Sequence, residues 1–277
     1  MTASSAHQHN ASPARTGAPS RRLVLRGGLT GAHLQVQATD GSGVVTMTQQ
    51  DGTTCGATTL LGAHLLLGGS LPTATSLGGL ELPELLGVLQ RSLQRHLNRN
   101  AAGGAVLLPW TRHLGSTPWA VAAEMTRIVR AQRPQTLAYH LRWVRDYGQL
   151  WPQMVERLRR HLAAGEPVVL LTGGPLRHAP AATDEARASM RIATLLAHFP
   201  ALPRHYVLAV PWELLDQDDP GPGQVPLYEP SAGTISNLDL LAPRDRYASG
   251  PPALGYWPRV LGVIMPGRRK GHLPVTE

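Results

Sequence analysis

A thiol, an imidazole and a carboxyl are the side chains from which this sequence can build a nucleophilic site, and two distant stretches supply them. The only cysteine, Cys55, lies in Gln49-Gln50-Asp51-Gly52-Thr53-Thr54-Cys55-Gly56-Ala57. Residues 43–48 before it are strand-like. Residues 57–67 after it are helix-like and stop at Gly68-Gly69. Cys55 is thus placed at a helix start, with Thr53 or Thr54 expected to cap the first turn. There a thiol meets the positive end of the helix dipole, which favours the thiolate. Gln49, six positions earlier, carries an amide able to donate to a developing oxyanion. A lone cysteine equally fits a small buried apolar residue, so position alone leaves both readings open.

The imidazole and the carboxyl come from far downstream. Arg204-His205-Tyr206-Val207-Leu208-Ala209-Val210 reads as a strand with His205 near its start. After a polar turn, Val225-Pro226-Leu227-Tyr228-Glu229-Pro230-Ser231-Ala232-Gly233 carries Glu229. A helix-start Cys, a later strand His and an acid on the next strand are the parts of a thiol nucleophile with its base and orienter. Alternation puts His205, Val207 and Ala209 on one strand face, and Val225, Leu227 and Glu229 on one face of the next. If the two strands pair, Glu229 can reach the imidazole. Glu229 also fits a surface acid before a proline turn, and Asn237 is the alternative orienter. Asp216, Asp218 and Asp219 read as an ordinary solvated hairpin loop.

At this point the sequence resembles a known family. Gln49, Asp51, Cys55, Gly56 and Ala57 resemble the cysteine box of the bacteriocin-leader (double-glycine) peptidases and their stand-alone papain-like relatives. His205-Tyr206-Val207 and Glu229-Pro230-Ser231-Ala232-Gly233 are similar to that family's HYV strand and DP-x-x-G turn. Gly165-Glu166-Pro167-Val168 is similar to its G-x-P-V strand. The resemblance implies an α+β, papain-like cysteine hydrolase fold with helices packed on an antiparallel sheet. It implies hydrolysis of a peptide or amide bond in a peptide or protein substrate, through an acyl-enzyme. In that scheme Cys55 is the nucleophile, His205 the base and Glu229 the orienter, while Gln49 joins the Cys55 N–H in holding the oxyanion. Two departures stand out: Glu229 occupies a position where the family usually has Asp, and the Cys55–His205 segment is longer than in the compact peptidase domains. They keep open a non-catalytic papain-like scaffold that acts as a binding protein.

Composition bounds the remaining classes. At 42% hydrophobic residues the chain can bury a core. The net charge of +8 comes from arginine, since Lys270 is the only lysine. That bias matches GC-rich bacterial coding, and with no aromatic boxes or zinc-finger pairs a nucleic-acid partner is not expected. A single cysteine excludes an internal disulfide and a cysteine-based zinc site, and suits a reducing cytoplasm. The histidines share no ligand spacing, so neither a metal nor another cofactor is expected. No apolar run approaches membrane-spanning length, and Arg21-Arg22 is not followed by the apolar stretch of an export signal. Oligomeric state stays open.

The elements that must position these residues follow from periodicity. Residues 1–20 read as a disordered tail, and 21–277 as a single papain-like domain with a helical insertion between the Cys helix and the His strand. Residues 23–26 and 33–38 read as early strands, and 70–79 as a loop. Leu82, Leu85, Leu86, Leu89, Leu93 and Leu97 mark a helix whose other face, with Arg91, Gln94, Arg95 and Arg99, is expected in solvent. Ser116 or Thr117 is expected to cap a helix over 120–131, with Pro118 in its first turn. Further helices are expected over 149–164 and 184–198, and strands over 105–108, 167–171 and 260–265.

Overall fold

The computed structural model describes residues 24–39, 41, 43–72, 80–100, 115–174, 202–246 and 248–267. The expected tail over 1–20, strand over 105–108 and helix over 184–198 lie outside the described residues.

Valine-rich and leucine-rich alternating runs make ten strands: β1 (Val24–Thr30), β2 (His33–Ala38), β3 (Val44–Thr46), β4 (Ser70–Pro72), β5 (Tyr139–Trp143), β6 (Val168–Gly174), β7 (Leu202–Ala209), β8 (Gln224–Glu229), β9 (Thr234–Asp239) and β10 (Arg259–Pro266). They join one sheet in the order β4-β1-β2-β9-β8-β7-β6-β10-β5, with β3 paired to β2. The strand pairs are antiparallel. The described helices of more than one turn are α1 (Cys55–Leu66), α2 (Leu82–Arg99), α3 (Pro118–Gln132) and α4 (Leu150–Ala163).

Strand alternation divides the interior into two cores, one on each side of the sheet. Val169, Leu171, Tyr206, Leu208 and Tyr228 pack with α1, α2 and α3. Val168, Leu170, Val207, Ala209, Val225 and Leu227 pack with Trp151, Val155, Leu158 and Leu162 of α4. The expected papain-like arrangement is therefore corrected. Instead of a compact sheet carrying helices, a ten-stranded antiparallel sheet is covered by helices on both faces. The extra width comes from β1, β2, β4 and β9: β1–β2 and β8–β9 are local hairpins, but β1–β4 and β2–β9 join through contacts too long-range for local periodicity to reveal. Residues 70–72, expected in a loop, are such a case: they pair with β1.

Local signals explain the helix ends. Thr117 accepts a bond from the Ala120 N–H at 3.3 Å, and Pro118 opens α3. In α2, Glu81 and Glu84 form a reciprocal capping box. α1 has no side-chain cap, contrary to the expectation for Thr53 or Thr54. The Thr54 hydroxyl turns back to donate to the Asp51 carbonyl at 3.0 Å, and the Thr53 N–H donates to Asp51 Oδ1 at 2.8 Å. Both threonines are used to shape the turn before the helix.

Candidate functional site

Loop 47–54 delivers Cys55 to the first position of α1, and its backbone is tied down almost residue by residue. The Tyr228 hydroxyl donates to the Met47 carbonyl at 2.6 Å. The Gln90 amide donates to Thr48 O and its oxygen accepts the Gln50 N–H, both at 2.7 Å. The Gln49 N–H donates to Pro230 O at 2.7 Å. The Gln94 amide donates to Thr53 O at 2.9 Å. Gln94 was expected in solvent; it holds the loop instead. Neither glutamine was singled out as a positioning residue, although Gln90 interrupts the apolar stripe of α2 between Leu86 and Leu93. A polar residue in such a stripe, here 1% exposed, signals a specific partner.

His205 enters from β7, below α1. The Thr59 hydroxyl donates to the Tyr206 carbonyl at 3.2 Å, fixing helix to strand. The Tyr206 hydroxyl donates to Ser116 O at 2.7 Å, which brings the segment before α3 to the same place. Gly56 allows this convergence: a Cβ there would stand 3.2 Å from the Tyr206 ring and 3.4 Å from Ser116 Cβ. Burial, reinforced by the charge of Cys55, pushes the Tyr206 phenol up, so it stays a donor.

Glu229 ends β8. Leu208 pairs with Tyr228 and Ala209 with Leu227, so Glu229 and His205 share a sheet face. His205 Nε2 lies 2.7 Å from Glu229 Oε1. That leaves Nδ1 unused by Glu229, and Cys55 lies close enough to the imidazole to raise its pKa. Glu229 is gripped by the turn that follows it: the Ser231 N–H donates to Oε1 and the Ala232 N–H to Oε2, each at 2.8 Å. The three side chains are buried, Cys55 at 3%, His205 at 6% and Glu229 at 3% exposure. Asn237 faces Pro226 across β8–β9, is exposed, and takes no part. Asp219 pairs with Arg159 of α4.

The electrostatics form one chain. Burial alone lowers the His205 pKa, but hydrogen bonds and charge from Cys55 and Glu229 outweigh it and raise it to about 9. Burial also raises Glu229, yet the His205 hydrogen bond and the Ser231 and Ala232 amides hold its carboxyl below the usual range. At neutral pH the arrangement is an imidazolium between a thiol sulfur and a carboxylate. Gln49 sits beside the Glu229 turn through its bond to Pro230. Its Oε1 and the Ser116 hydroxyl are buried without a hydrogen-bond partner. Sequence reading named Gln49 and missed Ser116 at this site. Among the described residues no group of three or more His, Cys, Asp or Glu side chains could hold a metal ion. No described helix is long and apolar enough to cross a membrane.

Comparison with known families points in another direction. The haloacid dehalogenase-like hydrolase family matches residues 82–203, fewer than half of the chain. No curated protein and no solved structure matches. The match overturns the resemblance to bacteriocin-leader peptidases. With it go the papain-like fold assignment, cysteine hydrolysis of a peptide or amide bond, and the papain-like binding scaffold. Hydrolases of the matched kind typically use an Asp nucleophile. Within the matched segment the described carboxylates are Glu84, Glu124, Asp146, Glu156 and Glu166, and each already has a partner. Gln49, Cys55, His205 and Glu229 all lie outside that segment, so the chain is similar to a haloacid dehalogenase-like hydrolase only over a region separate from its buried thiol site.

Proposed function

We propose that Cys55, His205 and Glu229 act as one nucleophilic thiol unit that forms a covalent bond from sulfur to an electrophilic carbon of a bound molecule. The observation that carries this reading is the buried His205–Glu229 pair, closed at 2.7 Å, with the buried Cys55 near enough to act on the imidazole. Cys55 attacks as the thiolate while His205 holds its proton. The new S–C bond takes its electron pair from sulfur, the bond to the leaving group takes its pair away, and His205 returns the proton to that group. Glu229 fixes the ring and stabilises its positive charge. Gln49, tethered beside the Glu229 turn, is the donor to negative charge developing on the bound molecule through its side-chain N–H, while its oxygen, unpartnered in the fold, can only accept. Cleavage of a peptide bond is not part of the proposal. A single free thiol of this kind suits a reducing compartment, which supports a cytoplasmic setting.

The test is alkylation of Cys55 by iodoacetamide as a function of pH, with no other cysteine to confuse the signal. His205→Asn is expected to slow alkylation at neutral pH by about a hundredfold, and Glu229→Gln by about tenfold, since each tenfold step corresponds to about 1.4 kcal/mol of lost ion-pair stabilisation. Superimposable profiles in all three proteins would remove the site. A second reading follows from the family match: magnesium-dependent hydrolysis of p-nitrophenyl phosphate that survives Cys55→Ala would place the activity in residues 82–203 instead.

A further inference from the structure

We propose that the turn over residues 250–257 is a positioning device for His205, in which the backbone of Gly255 sets the plane of the imidazole; this rests on the thiol unit proposed above. Gly255 follows the single 3-10 turn Pro252–Leu254 and has φ +66°, in the left-handed region that favours glycine. A Cβ on Gly255 would stand 2.5 Å from His205 Cδ2, 2.8 Å from Nε2 and 3.3 Å from Cγ. The main chain at 255 therefore lies against the ring edge whose nitrogen bonds Glu229. The χ2 torsion of an imidazole is broad, so one hydrogen bond leaves the ring room to rock. The backbone of Gly255 closes that room on one side.

The turn is held in place independently of the ring. The Gly255 N–H donates to Pro252 O at 2.8 Å, the Leu254 N–H to Pro251 O at 3.0 Å and the Gly250 N–H to Tyr256 O at 2.9 Å. Ala253 and Leu254 are buried in the core on the α4 side of the sheet. Thr172 of β6, which pairs with His205 across β6–β7, joins turn and strand. Its buried hydroxyl lies 3.2 Å from Leu254 O and 3.4 Å from His205 O, so one proton is shared between the two carbonyls. The backbone that carries the imidazole and the backbone that abuts it are thus tied to one side chain.

Strain in the turn points the same way. Tyr256 follows Gly255 at φ +64° and is 65% exposed. A bulky residue in the left-handed region costs about 1–2 kcal/mol, and an exposed ring recovers little of it by burial. The Tyr256 N–H donates to Pro251 O at 3.2 Å, which locks the conformation. Two successive left-handed residues close the turn tightly enough to press Gly255 onto His205. Strain of this kind persists where the surroundings over-determine it, and here they do so beside the group that moves the proton.

The rate of Cys55 alkylation by iodoacetamide, measured against pH in the full chain, tests this. Gly255→Ala is expected to push the ring off Glu229, slow alkylation at neutral pH by about tenfold, as befits loss of a hydrogen bond to a charged group, and move the profile to higher pH. Gly255→Ala combined with Glu229→Gln is expected to be no slower than the slower single variant, because both act through one hydrogen bond. Should Gly255→Ala fail to fold, Thr172 carries the test. Thr172→Val, which lacks the hydroxyl, is expected to slow alkylation several-fold, and Thr172→Ser, which keeps it, to restore the wild-type rate. With His205→Asn still slow, a wild-type profile in Gly255→Ala, a multiplied loss in the double variant, or a wild-type rate in Thr172→Val would overturn this inference and leave the thiol unit standing. A His205→Asn profile superimposable on that of the wild type would overturn the thiol unit and this inference with it.

Discussion

Two buried ionic clusters sit in this sheet, and they differ in what their protons can do. In Cys55–His205–Glu229 the central group is an imidazole with a pKa of about 9, and its neighbours are a thiol and a carboxylate. In Arg244–Asp146–Arg259 the central group is a carboxylate, and its neighbours are guanidiniums that never release a proton. Both have short hydrogen bonds and low exposure. Only the first contains a group that can take a proton and give it back. Burial and pairing alone therefore do not mark a reacting centre; a mobile proton beside a nucleophile does.

The sharpest way to separate the clusters is to remove the central charge of the static one. Asp146→Asn leaves two partly buried arginines facing each other, and an unpaired charge costs up to about 3–5 kcal/mol when fully buried. Urea unfolding is expected to show a loss of up to that size, with the iodoacetamide rate of Cys55 unchanged. A normal midpoint would mean that Asp146 does not hold the two arginines.

A smaller effect is expected in the pH dependence of stability. His205 has a folded pKa of about 9 against about 6.5 when unfolded, so the native state binds the proton more tightly. The resulting stabilisation is complete below about pH 6.5 and is lost as pH rises toward 9, with a total on the order of 3 kcal/mol. Wild type is expected to lose stability over that window relative to His205→Asn, in which the position no longer titrates. Parallel curves for the two proteins would contradict the raised pKa.

The smallest effect concerns Asn237. It is exposed on β9 and touches neither cluster, so Asn237→Ala is expected to change unfolding by no more than about 0.5 kcal/mol and to leave the alkylation rate alone. A rate as depressed as that of Glu229→Gln would transfer the orienting role to Asn237.

What could be read from the chain, and what could not, divides along contact range. The Thr117 cap, Pro118, the leucine stripe of α2 and the apolar run of β6 are local signals, and the elements formed near the expected positions. Alternation placed His205 and Glu229 on one face because the pattern needed only two neighbouring strands. The width of the sheet was not legible, since β2 reaches β9 across about two hundred residues of chain. Thr54 looked like a cap but bonds Asp51, because short hydroxyl side chains compete for several nearby backbone groups. Gln94 looked solvated until the loop it holds was in place. The cluster of Asp146, Arg244 and Arg259 draws on residues from 146 to 259 and carries no motif at all.

The turn after Glu229 has a consequence for how this protein tolerates change. Both carboxylate oxygens are gripped by main-chain amides two and three residues on, Gly233 closes the turn at φ +67°, and a Cβ there would strike the Met47 carbonyl at 2.8 Å. The side chains of Ser231 and Ala232 contribute nothing to that grip, and both residues are exposed. The aim of the imidazole is thus encoded in the number of residues in the turn more than in their identity. Substitutions at 231 and 232 should pass almost unnoticed. Inserting or deleting one residue there would swing the carboxylate away from His205 and carry Gln49, tethered to Pro230, along with it.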